Sequence, residues 1–512
     1  MRGKDRLRLT CVVWLAASAP LALPAIASAA DTFADASRPD NSGDCLTPAT
    51  ACKTINGPDG ALAKTGGAGT IRLETGSYAE NVTLPGGVSL IADTASTPTI
   101  DPSSGVFAMR VTGPSTTIQG LTFSSNVANQ TELVLEDAAG SPVVSGNHFI
   151  DTTPVSGDNQ IGIHTTAQGT PQISGNSFSG LFHGIDVVSP TTGAPGSPVI
   201  SGNDISGVHD IGDGIQVSGS HNLNLTGPTT ATLVGNTIHD HGAGQTTGVF
   251  LADGGSFSLD PTSPATGMTM IRNRIIGGTN GIEVIGNRAP VTLFGDVIAR
   301  TAPLTGGSAV LASSVKVMSG DYLGGDLTVT NADIVNNTNL SFELQDNHLT
   351  LDSSIVRGGA ILPFDGDGTA TCTITFSDGM TTSGGPCETF QTSAAPSFVD
   401  ASTDNYHLTP AGNGALIDQG NPAPPPAGSV DFDGDPRAID GDGACPLNPV
   451  RDIGADEFNP GIPDCPSPSG GGGPTASAGP TGQRAAALRK CKRKHGRTAR
   501  QRCRKRAKRL PV

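Results

Sequence analysis

Histidine and aspartate crowd into the few residues ahead of three glycine-led strand patterns. His183 precedes Gly184-Ile185-Asp186-Val187. His209, Asp210 and Asp213 precede Gly214-Ile215-Gln216-Val217. His239, Asp240 and His241 precede Gly248-Val249-Phe250-Leu251, and Asp253 follows. Strands of successive repeats stack in register, which would gather these side chains on one face. Two carboxyls on adjacent strands can work as a pair: one protonates a leaving glycosidic oxygen and the other activates water. Asp210, Asp213, His209 and His241 are therefore the candidate acid–base groups. His183, Asp186, His239, Asp240 and Asp253 are candidate substrate contacts. The competing reading, solvated turns on an inert rod, stays open at this stage. His239-x-His241 also has a spacing that suits a metal on one strand face. Lyase chemistry would need carboxylate-held Ca²⁺ and a base for the proton. Arg272, Arg274 and Arg288 are the only Arg or Lys between 111 and 299, and their spacing fits no such pattern.

A second set of carboxylates suggests Ca²⁺ as a cofactor. Asp431, Asp433 and Asp435 alternate, and Asp442 is twelfth counted from Asp431. That echoes a calcium loop, although Pro436 stands where the loop needs Gly and Asp442 where it has a bidentate Glu. Asp365-Gly366-Asp367-Gly368 is a fainter echo. The competing reading is a turn whose aspartates bond backbone amides.

The elements that would position these groups come from a repeat. Ser145-Gly146-Asn147-His148-Phe149 returns as Ser174-Gly175-Asn176-Ser177-Phe178 and Ser201-Gly202-Asn203-Asp204-Ile205. Val234-Gly235-Asn236-Thr237-Ile238 and Ile271-Arg272-Asn273-Arg274-Ile275 continue it. The asparagines are 29, 27, 33 and 37 residues apart. The glycine-led strands at Gly162, Gly184, Gly214, Gly248 and Gly281 keep step with them. Self-similarity at this period marks a solenoid. The apolar phrases are four or five residues long and alternate with period two, and no run shows 3.6-residue spacing. An antiparallel sandwich is disfavoured because hairpin-length spacing is missing. The expected fold is all-β, a right-handed parallel β-helix. Its recurring asparagines tolerate a left-handed turn and can bond one another in a ladder along the axis.

Gly76, Tyr78 and Glu80 form a Gly-x-Tyr-x-Glu phrase between the strand patterns 70–73 and 88–92. It resembles the opening coils of the pectate-lyase-like β-helix superfamily, which implies the same fold here. Gly212-Asp213-Gly214-Ile215 and His241-Gly242 resemble polygalacturonase motifs in part. The adjacent aspartate pair and a following Arg-x-Lys are absent. Residues 396–458 resemble the closing region of the choice-of-anchor Q group of secreted β-helix proteins. The matching phrases are Asp404-Asn405-Tyr406-His407-Leu408, Asp431-Phe432-Asp433-Gly434-Asp435-Pro436-Arg437 and Asp452-Ile453-Gly454-Ala455-Asp456-Glu457-Phe458. That resemblance implies surface display and carries no assigned activity.

Arg2, Lys4, Arg6 and Arg8, the apolar stretch Leu9–Leu23 and Ala27-Ser28-Ala29 read as a cleaved secretion signal. No other segment reads as a membrane span. Eight cysteines follow it in four close couples, Cys45/Cys52, Cys372/Cys387, Cys445/Cys465 and Cys491/Cys503. In an exported chain they read as local disulfides. Of the 31 Lys and Arg, 14 lie in residues 481–512, which contain no acid; the body is strongly acidic. An acidic body disfavours nucleic acid and anionic polymers, whereas the tail would seek an anionic envelope component. The chain divides into a signal peptide (1–29), an N-terminal cap (31–69), the β-helix (70–395) and the closing region (396–458). A Pro/Gly/Ser linker (459–483) and a basic tail (484–512) with a short helical pattern complete it. The expected role is a secreted or cell-surface module, structural or carbohydrate-interacting, with a polysaccharide or envelope polymer as partner. The alternatives are a polysaccharide hydrolase or Ca²⁺-dependent lyase using the groups at 183–253, and a purely mechanical rod.

Overall fold

A computed structural model describes residues 31–460, apart from 126, 155–156, 191–192, 220–228, 242–243, 253–265, 286–288, 303–312, 319–325, 338–339, 345–347, 364–370, 380–386, 388–389 and 442–448. The signal sequence, Asp253, Asp442, Cys445, Cys465, Cys491, Cys503, the linker from 461 and the basic tail lie outside the described residues. No helix among the described residues is long and apolar enough to cross a membrane.

The chain winds through three parallel sheets in turn. Val143–Ser145 lies in a 13-stranded sheet, His148–Asp151 in a 12-stranded sheet and Ile161–Thr165 in an 11-stranded sheet. Gln172–Ser174 then returns to the first sheet beside Val143–Ser145. Neighbours within each sheet are three strands apart in sequence over most of its length, which is the signature of a parallel β-helix. The right-handed sense is the one that strand twist imposes on parallel crossovers. Coils continue beyond the asparagine repeats, where Leu327–Thr330, His348–Asp352 and Thr371–Thr375 stack in register.

Inward side chains form one long core of Ile, Leu, Val and Phe. Phe123, Phe149 and Phe178 stack with centroids 4.8 Å apart, the spacing of the coils themselves. The recurring asparagines form the ladder that their spacing predicts. Asn147 Nδ2 donates to Asn176 Oδ1 (3.0 Å), and Asn176, Asn203 and Asn236 each donate to the next at 2.9 Å. The ladder ends where Asn273 Nδ2 donates to Asp296 Oδ1, since Ala332 occupies the next equivalent position. One detail differs from expectation: the left-handed residue is the one before each asparagine. Gly146, Gly175, Gly202 and Gly235 have φ of 59–63°, and Arg272 has 58°. Glycine relieves the turn while asparagine ties the coils together.

The opening phrase joins the N-terminal cap to the stack. The Tyr78 hydroxyl donates to Ala34 O (2.8 Å) and Glu74 O (3.0 Å). The Glu80 carboxylate accepts from the amides of Ile55 (2.9 Å) and Asn56 (2.8 Å). The cap is also part of the sheet, because Thr32–Ala34 pairs with Gly69–Leu73. Disulfides join Cys45 to Cys52 and Cys372 to Cys387.

The closing region lies along the flank of the last coils. Tyr406, Leu408, Leu416, Ile417, Ile453 and Ala455 pack on the outward residues Ile276, Val297, Ala299, Val335 and Ile355 of the 12-stranded sheet. Arg437 is buried over the Phe294 ring at 5.5 Å and donates to Gly454 O.

Candidate functional site

The outer face of the 11-stranded sheet carries two rows of side chains, polar except at Phe250. One row runs through His183, Asp213, Thr247 and Asn280; the other runs through His164, Asp186, Gln216, Phe250 and Glu283. Between the rows each strand carries a glycine whose backbone approaches the facing sheet. A Cβ on Gly184 would lie 2.6 Å from Gly214 O and 2.9 Å from Ile205 Cγ2. That close approach explains why the repeated strands open on glycine.

Asp213 is the centre of the site. It is 7% exposed, and burial pushes its carboxyl well above the usual range. The charges of Glu283 and Asp186 push the same way, against the hydroxyl of Thr247. This places a buried carboxyl with a raised pKa on one face with two other carboxyl side chains, the environment of a general acid. The Asp213 amide donates to His183 Nδ1 at 3.1 Å, and burial holds this imidazole below its ordinary pKa. His183 is thus a neutral acceptor at Nδ1, packed edge-on against Phe182 at 4.3 Å. His164 Nδ1 donates to Asp186 Oδ2 at 2.7 Å, while the buried Asp186 Oδ1 has no hydrogen-bond partner among the described residues. Asn280 Nδ2 orients Glu283 through a 2.9 Å bond to Oε2.

The residues singled out from sequence divide between places. His183, Asp186 and Asp213 share this face. His209 lies beside it, 6.4 Å from the Phe182 ring. Asp210 is a left-handed turn residue (φ 59°) whose Oδ2 accepts the Gly157 amide, so it ties two turns together. His239 belongs to the outer side of the 12-stranded sheet, where it bridges Asp204 Oδ1 (3.0 Å) and Asp240 Oδ2 (2.6 Å). His241 is packed near Gly277 and Gly278, and burial lowers its pKa to about 4. One face for all of them, and a metal shared by His239 and His241, would require the turn at 240–246 to lie flat. Instead His239 ends a strand of the 12-stranded sheet, and Thr247 opens the next strand of the 11-stranded sheet. His164, Thr247, Asn280 and Glu283 were missed. Aligning the repeats on their glycines reveals them, because His164, Asp186, Gln216 and Glu283 each stand two residues after that glycine.

The alternating aspartates of the closing region do not converge as a calcium loop would. Asp431 Oδ1 accepts the amides of Asp433, Gly434 and Asp435 at 2.8–3.0 Å, and its Oδ2 accepts the Glu457 amide. Asp435 reaches Asn459. Asp433 turns to His407, and His407, Asp433 and Asp456 present ligand atoms all within 4.8 Å of one another.

No family model matches the sequence, and no curated protein matches it. Solved structures of similar architecture include the A-module of the mannuronan C-5 epimerase AlgE6 of Azotobacter vinelandii. It is 12% identical, covers 61% of this chain and 92% of that one, and has a TM-score of 0.39. The catalytic unit of a GH87 α-1,3-glucanase from Streptomyces thermodiastaticus is 17% identical, with coverage of 65% and 66% and a TM-score of 0.40. Pectate lyase Pel9A is 13% identical, with coverage of 85% and 98% and a TM-score of 0.37. These likenesses assign neither a residue nor an activity to this chain; its fold rests on the sheet topology above.

Proposed function

We propose that this is a secreted or cell-surface β-helix protein whose outer face over residues 161–283 engages a polysaccharide. The observation that carries the reading is the double row on the 11-stranded sheet. Hydrogen-bonding side chains repeat there from coil to coil, about 4.8 Å apart. Such a row suits an extended polymer laid along the axis better than a compact ligand. Asp186 and Glu283 make the face acidic, so a neutral glycan is preferred over a polyuronate. The first 29 residues act as the export signal. Residues 484–512 hold the protein on an anionic envelope component, in keeping with membership of the choice-of-anchor Q group.

A second reading makes the same face catalytic, and one observation favours it. Asp213 is a buried carboxyl on the same face as Asp186 and Glu283, and burial raises its pKa. In hydrolysis Asp213 would give its proton to the leaving glycosidic oxygen. A neighbouring carboxylate would take a proton from the attacking water.

The deciding experiment incubates the full chain with a panel of neutral and acidic glycans and follows both retention and product formation. New reducing ends that vanish in Asp213→Asn establish the hydrolase. Retention without products, weakened at least about tenfold by Asp186→Asn with Gln216→Ala, establishes the binding module. Neither retention nor products overturns both readings. Cell fractionation with and without residues 484–512 tests the anchor: release on truncation is expected, and unchanged retention refutes it.

A further inference from the structure

We infer that His407, Asp433 and Asp456 form a binding site for a divalent transition-metal ion, with Zn²⁺ as the probe of that class. The site lies in the closing region and does not depend on the glycan reading. His407 sits on the short strand Asn405–Leu408, Asp433 in the turn anchored by Asp431, and Asp456 near the end of the region. Three separate segments therefore converge on one point. His407 Nε2 lies 2.6 Å from Asp433 Oδ2.

The imidazole is held in the orientation a ligand needs. Its Nδ1 meets Asn405 Oδ1, an oxygen that also accepts the His407 backbone amide. Nδ1 therefore carries a proton, and Nε2 faces Asp433 Oδ2, where a metal ion would take the place of the proton between them. Metal-ligating histidines are oriented in this way by an oxygen on their other nitrogen. The Phe432 ring packs edge-on against the imidazole at 4.7 Å and fixes its plane.

Asp456 supplies an independent indication. It is 4% exposed, and Oδ2 accepts the Leu408 amide at 2.7 Å. Its Oδ1 takes no hydrogen bond among the described residues. A carboxylate so deeply buried beside His407 and Asp433 would gain from a cation shared with them. Asp433 is half-exposed, which leaves an approach from solvent and room to adjust. Metal bonds of about 2.0–2.1 Å in tetrahedral geometry set ligand atoms about 3.3 Å apart, so Nε2 and Oδ2 need to separate only slightly. One imidazole with two carboxylates suits Zn²⁺ better than Ca²⁺, which takes oxygen ligands.

The test strips the purified full-length chain with a chelator and measures binding of Zn²⁺, Mn²⁺ and Ca²⁺ by equilibrium dialysis and elemental analysis. One equivalent of Zn²⁺ is expected at the site, with a rise in melting temperature. Asp433→Asn and His407→Gln should abolish both, and Asn405→Ala should weaken affinity about 10–100-fold. His239→Gln, on another sheet, should leave binding unchanged. Asp433 is exposed, so its variant keeps the fold and serves if the His407 variant does not. The inference is overturned if no Zn²⁺ is retained, if Asp433→Asn binds it as tightly as wild type, or if only Ca²⁺ binds.

Discussion

Asn203 uses its whole side-chain amide. Nδ2 donates to Asn236 Oδ1 and to Ile173 O, and Oδ1 accepts the amide and Nδ2 of Asn176. Truncation to alanine strands buried donors and an acceptor on two coils. Asn203→Ala should therefore cost about 3 kcal/mol or more in denaturant unfolding; a loss within error would show that the ladder is ornamental. Glu132 presents the opposite case. It occupies the inward position that Gly162 and Gly184 hold in later coils, and it is fully buried with neither carboxyl oxygen bonded. Burial, then the charges of Asp151 and Asp101, raise its pKa well above the ordinary value. A raised carboxyl stabilises most below its unfolded pKa, and the contribution is lost as pH rises. Glu132→Gln should thus raise the melting temperature more at pH 8 than at pH 5, and an equal shift at both would contradict this account. Glu132 was not legible in the sequence, because an acid within an alternating strand reads as outward until neighbouring coils fix its register.

Strands of the 12-stranded sheet change character along the axis. Ser177–Ser179, Asp204–Ser206 and Thr237–His239 bury only their central apolar residue, whereas Val297–Ala299 and Asp333–Val335 are buried at every position. The second pattern is legible in sequence as Val-Ile-Ala and Asp-Ile-Val, and it signals that something covers the outer side. What covers it is not legible, because the closing region comes from more than 60 residues later. Val335→Asp should release that region while leaving the coils intact. Limited proteolysis should cut first between 396 and 458, and resistance equal to wild type would refute the assignment. The glycine-led strands were read correctly as stacking in register, and the register then placed His183, Asp186 and Asp213 together. His239 was misassigned because its strand belongs to the preceding sheet, a distinction set by the turn path rather than by strand periodicity.

Across the whole molecule, buried carboxyls concentrate where the closing region meets the coils. Burial raises Asp296 to about 7 and Asp333 to about 8, even with Arg437 nearby. Burial and the charge of Glu457 push Asp452 up, and burial and the charge of Asp431 push Glu457 up. All of these hold protons in the folded state that the unfolded chain gives up near pH 4, so stability is fully present below that pH and declines through pH 6–8. The melting temperature should fall from pH 5 to pH 9, with faster amide exchange in residues 404–458 first; a flat profile would exclude the carboxyl cluster as its source. The repeat, the parallel winding, the asparagine ladder and the opening phrase were determined by sequence alone. Each depends on contacts between neighbouring coils, and these recur at a fixed period that a single chain displays. Only the tertiary structure decided that Asp213 is a buried acid, that Asp431 anchors a turn, and that His407, Asp433 and Asp456 meet. Burial and convergence depend on segments far apart in sequence, and no local spacing encodes them.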